Sequence, residues 1–181
     1  MPLVVEKLPQ TGRFVLIAES FSGPLAVLAA STCPQGLDAV VLCNTFVEPP
    51  RCRCYAWLPF QWLFRLPPPD WALRQFLVGP GTPRSLCGEI RAAVTSVAPS
   101  VLSHRLREVL TVDVGEEPRQ LPFPIMELCG MGDRLVSARA LERGLGQRQN
   151  VTHARVEGPH LLLQVAPEEC WGMIGQFLGI T

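Results

Sequence analysis

The feature that most constrains this chain is a set of four short apolar runs, each bounded by turn residues. Residues 14–18 (FVLIA) stop at Glu19-Ser20-Phe21-Ser22-Gly23, and residues 37–43 (LDAVVLC) form a second run. Residues 124–129 (PIMELC) end at Gly130, and residues 151–156 (VTHARV) alternate more, which places them nearer an edge. Runs apolar on both sides of the pleat fit a parallel sheet covered on both faces. Helical segments are expected between and after them. The first spans 24–31, with Pro24 in a first turn where its missing N–H does no harm. The second spans 137–145, opened by Ser137 as N-cap and closed before Gly146. The third spans 167–178, with Cys170, Ile174, Phe177 and Leu178 on one side. Strand–helix alternation of this kind predicts a single α/β domain over 1–181, with right-handed crossovers.

Residues 48–118 break the rhythm. The first half of this stretch concentrates Trp and Pro, and the second has helical spacing over 84–110: Ile90, Val94, Val97, Val101, Leu102, Leu106 and Val109. The stretch is expected to be a helical insertion above the sheet.

Composition excludes several function classes. With 48% hydrophobic residues, the 181-residue chain can bury a real core. Sixteen basic residues balance sixteen acidic ones, which speaks against nucleic acid, since phosphate binding needs a basic face. The seven Cys are odd in number and scattered; Cys43 and Cys129 lie in apolar runs, where Cys behaves as a small hydrophobe. Cys52-Arg53-Cys54 lacks the spacing of a zinc or thioredoxin site, so no metal is expected and the thiols point to the cytoplasm. Neither a signal peptide, a membrane anchor nor a cofactor is expected.

The chemistry-bearing residues stand where the strands end. A Ser on a tight strand-to-helix turn is pushed out of the sheet edge in a strained conformation, so residues two positions either side must be small. Ala18 and Ser22 occupy those places around Ser20, and Ser22 is a rival hydroxyl better suited to capping the helix. Asp133 follows the third run in Gly130-Met-Gly-Asp-Arg-Leu-Val136, and His160 follows the fourth in Gly158-Pro-His160. In a parallel sheet these carboxyl ends share one edge, so Ser20, Asp133 and His160 can converge. Their chemistry requires it: His takes and returns the Ser proton, while Asp fixes the imidazole tautomer. Taken singly, Asp133 is an ordinary turn residue and His160 a loop histidine. His104 is expected to be exposed, His153 to face outward from its strand, and Asp113, Glu116 and Glu117 to form a solvated loop. Glu19 is expected to be buried and paired as support.

On its Glu-Ser20-Phe-Ser-Gly turn, its Asp133-Arg-Leu-Val segment and its Gly-Pro-His160-Leu-Leu-Leu-Gln segment, the chain resembles the α/β-hydrolase superfamily, especially small bacterial serine hydrolases. The resemblance covers nearly the whole chain and is weakest in the insertion. It implies the second half of that fold, with Ser20 as nucleophile, Asp133 as acid and His160 as base. It also implies the Phe21 N–H as an oxyanion donor at a helix amino end, and residues 48–118 as a cap over an acyl pocket.

One departure bears on activity. Only 13 residues precede the first apolar run, and none forms the His-Gly or Gly-Gly loop that supplies a second oxyanion N–H in the family. Residues 1–10 read as the end of a helix. A gene start placed too late is the favoured explanation, ahead of a true fragment or a short protein completed as a homodimer through its open strand edge. Loss of one donor lowers the rate on the order of 10²–10³, so weak turnover is expected. The function expected is hydrolysis of a small to medium carboxylic ester or thioester. The alternatives are a non-catalytic binding or dimerisation module, and acyl transfer on the same triad.

Overall fold

The computed structural model describes residues 2–146 and 149–180; Met1, part of the N-terminal helix-end reading, lies outside them. A single helical turn, α1 (Pro2–Val5), precedes β1 (Phe14–Glu19). The first crossover is α2 (Ser22–Ala30), which leads to β2 (Leu37–Cys43). Between β2 and β3 (Ile125–Gly130) run a 3₁₀ turn at Arg53–Trp57, α3 (Phe60–Leu63), α4 (Asp70–Leu73), a π turn at Arg74–Val78, α5 (Arg84–Thr95), α6 (Pro99–Thr111) and α7 (Glu117–Gln120). Then come α8 (Ala138–Leu145), β4 (Val151–Val156), α9 (Leu162–Val165) and α10 (Pro167–Leu178).

The four strands form an all-parallel sheet in the order β1-β2-β3-β4. The pleat sends alternate residues to opposite faces, and both faces are covered. Val40 and Leu42 of β2 pack with Ala26, Val27 and Ala30 of α2 and with Leu141 and Leu145 of α8. Val41 and Cys43 point the other way, onto Cys170 and Ile174 of α10. Full burial of side chains such as Val40 and Leu42 contributes about 1.5–3 kcal/mol each. The central strands are therefore rigid, and their carboxyl ends are well-defined places from which to hang a site. At the β1 side of the described sheet, Ile17 is 38% exposed.

The fold class read from the sequence is the one observed, with three local differences. The helical spacing over 84–110 is not one helix: it breaks at residues 96–98, because Pro99 opens α6 and disfavours helix in the residue before it. Ser137 sits at the N-cap of α8, but its hydroxyl makes no capping bond. The solvated-loop reading of Asp113, Glu116 and Glu117 also fails in part. Only Glu117 departs from it, by beginning α7; Asp113 and Glu116 are exposed loop residues, and Asp113 also pairs with Arg53 at 2.9 Å and accepts the Gly115 N–H.

Candidate active site

The turn after β1 carries Ser20 at φ 55°, in the left-handed region that non-glycine residues rarely occupy. Such a conformation costs about 1–3 kcal/mol and persists only if its surroundings fix it. The Ser20 N–H donates to Cys43 O at 3.0 Å, the Gly23 N–H donates to Ser20 O at 3.1 Å, and the Thr45 hydroxyl donates to Ser20 O as well. Each such bond contributes about 0.5–1.5 kcal/mol net, so three of them offset the strain. Gly23 is required by this closeness, because a Cβ there would overlap the Thr45 side chain. Ser22 is not the cap of α2: it is the first residue of the helix, and its hydroxyl donates to Glu19 O at 2.7 Å, closing the turn.

Ser20, Asp133 and His160 come together at the carboxyl edge. The Ser20 hydroxyl lies 2.8 Å from His160 Nε2, and His160 Nδ1 lies 2.8 Å from Asp133 Oδ2. With the proton on Nδ1, His160 donates to Asp133 and accepts from Ser20, the tautomer that both contacts require. The second carboxylate oxygen of Asp133 accepts the Leu135 N–H at 2.8 Å and the Val136 N–H at 3.1 Å. The His160 and Asp133 side chains are 4% and 3% exposed, so the pair is shielded from competing water. Phe21 is the N-cap of α2, and its N–H bonds to no acceptor among the described residues.

Other sequence candidates lie elsewhere. His104 is exposed on α6, 3.9 Å from Glu108. His153 is half exposed but does not simply face solvent: its Nδ1 bonds Glu127, directly opposite on β3. Glu19 is half-buried rather than buried, but it is bonded as a support residue would be, accepting the Leu163 N–H at 3.0 Å and the Gln164 amide at 2.9 Å. Cys43 and Cys129 are buried thiols whose proton loss burial strongly disfavours. Glu127, Glu142 and His153 bring three potential ligand atoms within 4.8 Å of one another on a sheet face, apart from Ser20.

Two residues at the edge escaped the sequence reading. Asn44 and Thr45 are buried polar residues directly after the unbroken apolar run that ends β2 at Cys43, and that abrupt change of character is the available signal.

The insertion packs down onto the edge. Leu73, Val78 and Cys87 pack with Leu161 and Val165, and the Leu161 N–H donates to Leu77 O at 2.8 Å. Phe21, Phe46, Val109 and Val136 form a small apolar cluster beside Ser20. A cleft of about 680 Å³ between the insertion and the His160 loop is lined by Trp71, Arg74, Pro80, Arg134 and Pro159 among others.

No protein-family model matches the sequence, and no curated protein matches it. Solved structures do. A thermophilic esterase from Thermogutta terrifontis superposes with a TM-score of 0.75 at 20% identity, over 97% of this chain and 68% of its own. A lipase-esterase related protein from Clostridium acetobutylicum gives 0.71 at 17% identity, over 91% of this chain and 66% of its own. The chain has an α/β-hydrolase fold. A bacterial membrane phospholipase A gives 0.70 at 20% identity over 92% of this chain, which spans only 57% of that enzyme's length. In the α/β-hydrolase frame, the described sheet is a part of the larger proteins' architecture. Among the described residues, no helix is long and apolar enough to cross a membrane.

Proposed function

We propose that the chain is a serine hydrolase of the α/β-hydrolase superfamily that cleaves a small to medium carboxylic ester or thioester through an acyl-enzyme. The observation that carries this reading is the unbroken hydrogen-bonded chain from Ser20 through His160 to Asp133, built on a residue held at positive φ. Ser20 Oγ attacks the acyl carbonyl as its proton passes to His160 Nε2, and Asp133 stabilises the imidazolium that forms. The carbonyl oxygen becomes an oxyanion, and the proposed donor to it is the Phe21 N–H, at the N-cap of α2. Collapse of this intermediate expels the alcohol or thiol, which takes its proton from His160. Water then repeats the sequence to release the acid. The apolar, aromatic insertion is the proposed cap over the acyl group.

A fluorophosphonate probe tests the reading, because it reacts only with an activated serine. Covalent labelling of the full chain at Ser20 is expected, and Ser20→Ala abolishes it. Labelling that is absent from the parent, or equal in the two proteins, sinks the proposal.

A further inference from the structure

We infer that the Asn44-Thr45 pair, at the carboxyl end of β2, is the positioning centre of the site: one dipeptide bonds to the backbone of all three segments that carry Ser20, Asp133 and His160. This rests on the hydrolase reading above and assigns roles that no catalytic step there uses.

Asn44 is 3% exposed and Thr45 is 2% exposed. An Asn side chain offers two N–H donors and a carbonyl acceptor, and Asn44 uses all three. Its Nδ2 donates to Pro159 O and to His160 O, both at 2.8 Å, and its Oδ1 accepts the Gly130 N–H at 2.6 Å. Gly130 O in turn accepts the Asp133 N–H at 3.1 Å. The His160 loop and the Asp133 turn are thereby fixed to the same side chain. Thr45 completes the set by donating to the Ser20 carbonyl.

The local backbone is shaped for this use. Asn44 adopts φ 41°, a left-handed conformation that Asn tolerates better than most residues. Its main-chain N–H still reaches Leu128 O at 3.0 Å, so the turn begins without leaving the sheet. Gly130 leaves the room: a Cβ there would lie 2.7 Å from Pro159 O and 2.9 Å from Asn44 Nδ2.

Residue type is constrained by hydrogen-bond polarity. Two carbonyls need two donors, so Asp at position 44, nearly the same in shape, would turn both attractions into repulsions while keeping the acceptor for Gly130. Gly at position 44 keeps the backbone freedom and removes every side-chain bond. Since a misplacement of about 1 Å at a reacting group can lower the rate roughly 10²-fold, either change reaches the chemistry through His160.

The test compares Asn44→Gly, Asn44→Asp, Thr45→Val and Thr45→Ser with the parent in the full chain, each rate normalised to the folded fraction by circular dichroism. Fluorophosphonate labelling of Ser20 is expected to slow by about tenfold or more in both Asn44 variants, and kcat on an aryl ester falls while KM stays within about twofold. Thr45→Val is slowed and Thr45→Ser recovers. The ¹⁵N shifts of the His160 ring read the same geometry without turnover, and are expected to leave the Nδ1–H pattern of the parent in the Asn44 variants. Rates that follow only the folded fraction, with unchanged ring shifts, overturn the inference, as does equality of the two Thr45 variants. If Asn44→Gly does not fold, the Thr45 pair decides. A parent that is not labelled at Ser20 removes the hydrolase reading, and the ring shifts then judge the positioning role by themselves.

Discussion

His160 and His153 each bond a carboxylate, Asp133 in the turn after β3 and Glu127 within β3, yet only the His160 pair also reaches a serine. His160 sits in the loop after β4, beyond the carboxyl edge, with Asp133 on one ring nitrogen and Ser20 on the other. His153 sits in the middle of β4, on the sheet face, with Glu127 directly across on β3. The first pair is almost wholly shielded, whereas the His153 side chain is 52% exposed above a buried carboxylate. Among the described residues, no hydroxyl bonds His153. A histidine–carboxylate contact thus does not by itself mark a site; what singles out His160 is its place at the edge where strand ends converge. That place lets a strained serine approach the free nitrogen.

The sharpest way to break the comparison is to alter each carboxylate. Asp133→Asn keeps the shape and can still accept the Leu135 and Val136 N–H groups. Its amide can donate to His160 Nδ1, however, which moves the ring proton to Nε2 and removes the acceptor for Ser20. The expected loss in kcat is on the order of 10³–10⁴, with little change in the unfolding midpoint. Aryl-ester kinetics beside thermal unfolding check it. A loss below about tenfold would mean that Asp133 does not set the tautomer.

The parts of this molecule legible in the sequence are those governed by local pattern. Continuous apolar runs at 14–18 and 39–43 mark strands because a buried parallel strand tolerates little else. Ser20, Asp133 and His160 were legible as candidates because each follows a strand-forming run, and parallel strands put their carboxyl ends on one edge. Asn44 and Thr45 also follow a run. Their role, however, lies in bonds to residues 20, 130, 159 and 160, and separation of that kind leaves no periodic trace. Glu127 stands inside an apolar run with no local mark of its role, because its partner, His153, is fixed by strand register, which a single strand does not reveal. The insertion was legible as helical but not as separate short helices, since its Pro residues punctuate a spacing that otherwise continues. Its weaker constraint shows in its surface, where Trp57, Trp62, Leu66 and Trp71 stand exposed.

The second pair should respond in the opposite sense. His153→Ala removes the hydrogen bond to the buried Glu127 carboxylate, while exposure on the His153 side lets water replace part of it. A stability loss of about 1–2 kcal/mol is expected, with fluorophosphonate labelling of Ser20 within about twofold of the parent. Urea unfolding and labelling rates together decide it. A labelling loss as large as that of Asp133→Asn would erase the distinction between the pairs.

The smallest expected effect is a pH slope. Burial raises the Glu127 carboxyl above its ordinary value of 4.5, and the hydrogen bond with His153 opposes that shift only in part. The folded state therefore holds this proton more tightly than the unfolded state does. As pH rises from 4.5 toward the folded value, the folded chain carries more bound protons, and the stability contributed by the protonated form is lost. Glu127→Gln cannot titrate, yet its amide oxygen can still accept from His153. The stability difference between Glu127→Gln and the parent should thus shift in favour of Gln as pH rises above 4.5, then level off once Glu127 is ionised in both states. Urea unfolding of both proteins at stepped pH measures that difference directly, free of every other group that titrates in common. A flat difference would mean that water reaches Glu127 from the His153 side and relieves its burial. Each pair would then be shown to differ in shielding even more than in position.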